Sequence, residues 1–189
     1  MFDRIIHRWL RIPYTLNVHY FCRPDNPKST ILLIHGLGTS WRTWKPLTQY
    51  LPKDARIIAI DMLGFGNSPK PDWKSYNVQD QATSIAATLR RESITRLDIV
   101  IGHSMGSLAA VELAKKYPKL TQSLILCSPP IYQPKADEKI HHPEKYYAPY
   151  TALSTSTQGV QSAYCNLPTD IIYGPMRDSR PIKLPPNLS

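Results

Sequence analysis

The sequence has few of the features that mark membrane-spanning, secreted or disulfide-rich proteins. No apolar run approaches the roughly 18 residues that a spanning helix needs, and no secretory apolar core with a small-residue cleavage site follows Met1. Only three cysteines occur, Cys22, Cys127 and Cys165, at wide separations. This odd count fits neither a disulfide framework nor a metal site and predicts a reducing, cytoplasmic location.

Acidic residues are also scarce. The chain has 14 Asp and Glu against 23 Lys and Arg, which gives a formal net charge of +9. The basic residues are scattered, without a long Lys/Arg run or a nucleic-acid-binding motif, so we expect a solvated surface and no nucleic-acid partner. A length of 189 residues predicts a single domain. These features leave the oligomeric state open.

One basic segment stands apart from this scatter. Apolar residues recur there at helical spacing with arginines between them: Phe2, Ile5, Ile6, Trp9 and Leu10, with Arg4, Arg8 and Arg11. A short basic amphipathic helix of this kind suits a membrane surface, or it packs over the edge of a sheet with its arginines in solvent. The second interpretation is favoured, and a membrane contact by residues 1–12 is the alternative.

The rest of the sequence contains short apolar runs separated by helical patterns. The predicted strands are Tyr14–Cys22, Thr30–His35, Arg56–Asp61, Leu97–Gly102, Ser123–Cys127 and Thr169–Gly174. Helices are predicted after Ser40 and Asn77, which suit N-cap positions, and from residue 105 to Lys116. Strands that alternate with helices at this spacing favour a doubly wound, mostly parallel α/β sheet.

Three of the predicted strands end in glycine-containing motifs. H-G-L-G occupies residues 35–38, D-M-L-G-F-G-N-S residues 61–68, and G-H-S-M-G residues 102–106. The last is a G-x-S-x-G sequence between a strand and a helix, the context in which the serine lies on a sharp turn with its hydroxyl exposed. In their order and separations these motifs resemble those of the α/β-hydrolase superfamily, and the resemblance runs from about Pro13 to Pro130.

The resemblance implies roles for residues near the sharp turn. Ser104 matches the nucleophile, and the backbone N–H groups of Leu37 and Met105 match the oxyanion hole. Neighbouring residues match positions that support the two loops: His35, Gly36, Gly102, His103 and Gly106.

The resemblance also implies a reaction class. The expected substrates are small carboxylic esters or related acyl compounds, with no metal and no organic cofactor. A serine at the turn argues against the dehalogenase and epoxide-hydrolase branches, which have an aspartate there. Carbon–carbon bond hydrolysis and perhydrolysis share the same motifs and stay open.

The sequence after residue 128 departs from the family pattern. Ten of the 18 prolines lie there, and helical periodicity fades. The resemblance implies a core at about 13–130. A reduced lid follows at about 131–167, and then a strand and acid loop at about 168–180. Asp178 is the candidate for the acid that orients a histidine, although the family's G-x-x-D spacing is one residue longer here. A solvent-exposed loop aspartate is the alternative.

The catalytic histidine presents the main difficulty. The family's order is serine, acid, histidine, yet none of the six histidines follows Asp178. We therefore expect the fold to lack its last strand and helix. His141 and His142, in the reduced lid, are a less favoured source of a base. Two interpretations follow: a truncated or frame-shifted hydrolase of impaired activity, and a catalytically silent homologue that binds a ligand or partner.

Overall fold

The helices and strands are those of a computed structural model, which describes residues 4–130 and the backbone of a strand at 161–165. The strands are β1 (Val18–Cys22), β2 (Ser29–Ile34), β3 (Ala55–Ile60), β4 (Leu97–His103), β5 (Thr121–Cys127) and β6 (Gln161–Cys165). The helical segments are α1 (Ile5–Trp9), which is a single π-helical turn, and the α-helices α2 (Lys45–Thr48), α3 (Val78–Arg91) and α4 (Met105–Lys116), with a 3-10 turn at Trp41–Trp44 before α2.

The six strands form one sheet in the order β1-β3-β2-β4-β5-β6. β1 pairs antiparallel with β3, and the other neighbouring pairs are parallel. Parallel neighbours need crossover connections, which explains why helices alternate with strands along the chain. The doubly wound, mostly parallel sheet that the sequence predicts is confirmed.

The central strands are buried on both faces. Leu32 and Val100 pack on the face that α3 and α4 cover, whereas Leu33 and Ile101 pack on the opposite face with Trp44. Successive side chains of a strand point to opposite faces. Burial on both faces therefore accounts for the continuous apolar runs, which contrast with the alternation of a half-exposed sheet.

The two predicted helix caps have different outcomes. Asn77 caps α3, since its Oδ1 accepts a hydrogen bond from the Asp80 N–H at 2.8 Å. Ser40 makes no such bond, and the prediction of a Ser40-capped helix is wrong. The Trp41 N–H instead donates to the Asp61 carboxylate at 2.8 Å. The segment then continues as a 3-10 turn and a single turn of α-helix.

The first and last described strands also differ from the sequence prediction. β1 begins at Val18 and not at Tyr14, because the Leu16 N–H bonds to the Thr88 hydroxyl of α3 and not to a neighbouring strand. β6 was not predicted, since Q-S-A-Y-C has little of the β-branched and large apolar character typical of strands. The predicted strand at 169–174 lies outside the described residues.

The basic segment at residues 4–12 contains one π-helical turn, α1, closed by a 3.0 Å bond from the Leu10 N–H to the Ile5 carbonyl. None of its side chains is buried, and Trp9 is 84% exposed. The favoured interpretation, in which the apolar face packs over the sheet edge, is therefore wrong for these residues. In the part of the chain that the structure describes, no helix combines the length and apolar character needed to cross a bilayer.

Candidate active site

Ser104 lies on the turn between β4 and α4. Its φ of 50° and ψ of −120° belong to a region that residues with a side chain rarely adopt, at a cost on the order of 1–3 kcal/mol. The turn is fixed on both sides, because the Ser104 N–H donates to the Cys127 carbonyl and the Ser107 N–H donates to the Ser104 carbonyl, each at 2.9 Å. Ser104 is half-buried, whereas Gly102 and His103 before it are buried.

Glycines on both sides of Ser104 let the strand and the helix approach closely. A Cβ on Gly106 would overlap the Ile34 carbonyl oxygen, and a Cβ on Gly102 would lie 2.5 Å from the Gly106 carbonyl oxygen. Both clashes are with backbone atoms, which cannot rotate away. The Ser107 hydroxyl donates to the Gly102 carbonyl at 2.8 Å and ties the first turn of α4 to the end of β4.

The loop that follows β2 lies directly against this turn. A Cβ on Gly36 would lie 3.3 Å from the Ser104 Cβ and 2.8 Å from His103 Nδ1. β2 has β3 on one side and β4 on the other, so the strand order reverses there. In open α/β sheets, ligands bind in the crevice at the carboxyl ends of the strands beside such a reversal.

His35 fixes the shape of this loop. The Met62 N–H donates to His35 Nε2 at 2.9 Å, and Nδ1 lies 2.7 Å from the Gly36 carbonyl. Because Nε2 accepts, the ring is neutral and carries its proton on Nδ1. Burial lowers the pKa of His35, which favours the same neutral form. The Thr39 hydroxyl also donates to the Gly36 carbonyl, at 3.0 Å, a loop contact that the sequence analysis missed.

His103 is buried beneath the same loop, with 3% of its surface exposed. Burial lowers the pKa of His103, and repulsion from a charged His35 lowers it further. Both imidazoles are therefore buried and neutral. Their expected role in supporting the loop and the turn stays a prediction.

Leu37 and Met105 carry the N–H groups expected to form an oxyanion hole. Leu37 follows Gly36 on the loop, and its side chain is 66% exposed. Met105 is the first residue of α4, so its N–H has no intrahelical carbonyl partner and lies where the helix dipole favours negative charge. The segments that carry the two N–H groups meet at Ser104, as the position of Gly36 shows.

Asp61 organises the side of the site formed by the loop after β3. Its buried carboxylate accepts hydrogen bonds from the Trp41 N–H at 2.8 Å, the Asn67 N–H at 2.9 Å and Asn17 Nδ2 at 3.1 Å. Both carboxylate oxygens are therefore engaged in hydrogen bonds to the surrounding loops. The signal for this role was the D-x-x-G-x-G-x-S motif, in which Ser68 also donates to the Asp61 carbonyl.

The acid and the base expected for the site are not among the described residues. Asp178, His141 and His142 lie outside them. Within residues 4–130, His7 stacks on a tyrosine and His19 on a tryptophan, each with ring centroids 3.6 Å apart. The structure therefore brings together the serine turn and the loop after β2, the nucleophile and oxyanion portion of the predicted site.

A mostly parallel sheet, a strained serine between a strand and a helix, and a His-Gly loop at the reversal of strand order together define the α/β-hydrolase class. A sequence model of the alpha/beta hydrolase fold family matches residues 29–150. The chain belongs to this family.

Individual relatives show the same relationship. Among curated proteins, the chain is 34% identical over 110 residues to "Probable lysophospholipase BODYGUARD 4" of Arabidopsis thaliana, a match that covers 57% of this chain and 26% of the relative. The enol-lactonase of Burkholderia xenovorans LB400 matches with a TM-score of 0.57 and 25% identity over 62% of this chain and 46% of that one.

A second solved structure matches a larger share of this chain. Cfl2 of Burkholderia cenocepacia has a TM-score of 0.57 and 27% identity, over 74% of this chain and 50% of that chain. The chain thus spans half or less of these solved structures and about a quarter of the plant relative.

Proposed function

We propose that Ser104 is the nucleophile of a serine hydrolase that cleaves small carboxylic esters or related acyl compounds. The observation that carries this proposal is the strained backbone of Ser104, beside which the Gly36 loop has little room for a side chain. A backbone conformation of this kind persists only where the surrounding structure enforces it, and such strain clusters at functional sites. Here it presents a half-buried hydroxyl at the carboxyl edge of the sheet.

In the proposed reaction, Ser104 Oγ attacks the substrate carbonyl carbon, and the carbonyl oxygen becomes an oxyanion. The N–H groups of Leu37 and Met105 stabilise that oxyanion, and one such donor is worth on the order of 10²–10³ in rate. Collapse of the intermediate expels the alcohol and leaves an acyl-enzyme. Water then attacks the acyl group, and the acid and the free serine are released. The scheme uses no metal and no organic cofactor.

Proton transfer in this scheme requires a histidine aligned by an acid, for which Asp178 is proposed. The base takes the Ser104 proton during attack and returns it to the leaving alcohol. His35 and His103 are unsuited to the task, since one has both ring nitrogens engaged and the other is buried under the loop. His141 and His142 stay the proposed source of a base within this sequence.

The described histidines are engaged in other contacts or buried. This observation favours a second candidate function, a catalytically silent homologue that binds an acyl ligand or a partner. An α/β-hydrolase fold does not by itself fix function. Loss of the base removes several orders of magnitude of rate while the oxyanion site and the binding surface persist. The two candidates therefore differ in turnover and not in architecture.

The names of the relatives support an acyl substrate without selecting one. One relative is named a probable lysophospholipase and another an enol-lactonase, which are names of enzymes that hydrolyse acyl–oxygen bonds. We also propose that residues 1–189 form one domain, because β6 joins the same sheet as the core strands through its pairing with β5.

Hydrolysis of p-nitrophenyl acetate and p-nitrophenyl butyrate tests the proposal. We expect the wild-type chain to release nitrophenol above the buffer rate and Ser104→Ala to fall to that rate. Ser75→Ala, which changes an exposed serine in the loop before α3, is the matched control and should equal wild type. Equal rates for wild type and a folded Ser104→Ala variant would overturn the enzyme proposal and support the silent homologue.

A further inference from the structure

Residues 4–12 expose an apolar surface that the hydrolase scheme does not use, referred to below as the Arg-Trp patch. Seven large apolar side chains are exposed in the described residues, and five belong to this patch: Ile5, Ile6, Trp9, Leu10 and Ile12. The most exposed are Trp9 at 84% and Leu10 at 59%. Contiguous exposed apolar residues of this kind mark interaction sites, whereas single ones are ordinary.

The charged side chains of residues 4–12 are all arginines. Arg4, Arg8 and Arg11 are exposed among the apolar residues, and no acidic residue occurs between Asp3 and Asp25. An open groove on the patch is lined by two of these arginines together with Ile5 and Trp9. Cationic and apolar groups thus share one small surface.

Specific contacts fix the Arg-Trp patch to the body of the protein. Arg4 forms an ion pair with Asp72 at 3.0 Å, and the His7 ring stacks on buried Tyr14 with centroids 3.6 Å apart. Within the patch, His7 Nδ1 also lies 2.6 Å from the Ile12 carbonyl. The apolar side chains of the patch stay exposed beside these contacts.

The chain passes from the Arg-Trp patch to the edge of the sheet that carries Ser104. Because β1 is antiparallel to β3, the residues before Val18 leave the sheet at the carboxyl end of β3. There the Asn17 N–H donates to the Ser68 hydroxyl at 2.8 Å, and the Asp61 N–H donates to the Asn17 carbonyl at 3.0 Å. The carboxyl end of β4, with Ser104, lies on the same edge.

We propose that the Arg-Trp patch docks this chain on a bilayer surface that contains anionic lipid. Trp9, Leu10 and the isoleucines enter the boundary between headgroups and acyl chains, and Arg8 and Arg11 contact lipid phosphates. A second copy of the chain is a poorer occupant, because a symmetric interface would bring two sets of arginines together. The proposal is independent of hydrolysis, since it concerns where the chain lies and not what Ser104 does.

Co-sedimentation with phosphatidylcholine vesicles, with and without phosphatidylglycerol, tests the proposal on the full chain. We expect wild type to bind the vesicles that contain phosphatidylglycerol, and raised salt to weaken that binding. Trp9→Asp should lower partitioning about tenfold, because the inserted apolar area shrinks and a negative charge enters. Arg8→Glu should lower it by at least about fivefold, the effect of one basic residue at an anionic surface.

Two matched variants control for general effects of charge and polarity. Tyr50→Asp changes an exposed aromatic residue elsewhere, and Lys53→Glu reverses an exposed charge near it. Both should bind vesicles like wild type, and circular dichroism should show all four variants folded. Equal partitioning of wild type and Trp9→Asp overturns the proposal. A lipid-free dimer that Trp9→Asp dissociates, without vesicle binding by wild type, also overturns it and assigns the patch to self-association.

Discussion

Gly36 lies beside Ser104: a Cβ added to Gly36 would lie 3.3 Å from the Ser104 Cβ. The loop after β2 and the turn after β4 thus leave little room for a side chain between them, although 68 positions separate the two residues. This close approach places the Leu37 N–H on a segment beside the serine. The proposed oxyanion donors are backbone N–H groups. The oxyanion site therefore depends on this close approach of two backbone segments more directly than on any side chain.

Gly36→Ala should lower ester hydrolysis about 100-fold, the effect of losing one oxyanion donor. The added methyl group would lie 2.8 Å from His103 Nδ1, so the loop must move away from Ser104. The measurement is kcat/KM for p-nitrophenyl acetate, with the unfolding midpoint as a check that the variant folds. Unchanged kcat/KM would show that the loop position does not matter for the reaction.

Gly106→Ala should destabilise the fold by about 3 kcal/mol or more, because its Cβ meets the Ile34 backbone and overpacking there has no soft neighbour to displace. Gly38→Ala is the matched control. Gly38 has a φ of 72° and open space around its Cβ position, so only the left-handed strain of about 1–2 kcal/mol applies. Urea unfolding of both variants measures the difference, and equal losses would contradict the described packing.

Asn77→Ala should lower the free energy of unfolding by about 1 kcal/mol, since α3 loses a side-chain cap on the Asp80 N–H. Ser40→Ala should change it by less than about 0.5 kcal/mol, because Ser40 makes no capping bond. Denaturant unfolding of the two variants tests both statements. A larger loss for Ser40→Ala would contradict the capping pattern.

Stability should fall as the pH drops below about 6.5, the ordinary pKa of histidine. Burial lowers the pKa of His35 in the folded chain, so the unfolded chain takes up protons first and protonation favours unfolding. His103, also lowered by burial, adds to the slope. Each such histidine contributes at most about 1.4 kcal/mol per pH unit.

His35→Gln isolates the first of these two contributions. Glutamine lacks the titrating group and carries a side-chain oxygen that can accept from the Met62 N–H. Urea unfolding between pH 5 and 7 should therefore show a shallower slope for His35→Gln, by up to one proton. Identical slopes for wild type and variant would mean that His35 does not resist protonation in the fold.

The sequence predicted the elements whose signals are local. Apolar runs buried on both faces gave β2 to β5, and the Asn77 cap gave the start of α3, within two residues of the structure. G-H-S-M-G predicted a sharp turn, since a G-x-S-x-G sequence between a strand and a helix marks such a turn by itself. These features could be predicted because the chemistry of each position depends on its immediate neighbours.

Features set by distant parts of the chain were the ones missed. The Trp41 N–H bonds to Asp61, 20 positions away, and this contact replaces the expected Ser40 cap. β6 owes its strand conformation to pairing with β5 and not to its own composition. The exposure of Trp9 depends on how Arg4 and His7 dock on the body, which no local pattern contains.

Intact-mass spectrometry after treatment with a fluorophosphonate probe tests the central claim, that Ser104 is a reactive nucleophile. The account predicts a single covalent adduct on the 21.5 kDa chain, absent from Ser104→Ala and present in Ser75→Ala. No adduct on a folded wild-type chain would contradict it and leave the serine turn as part of a binding site.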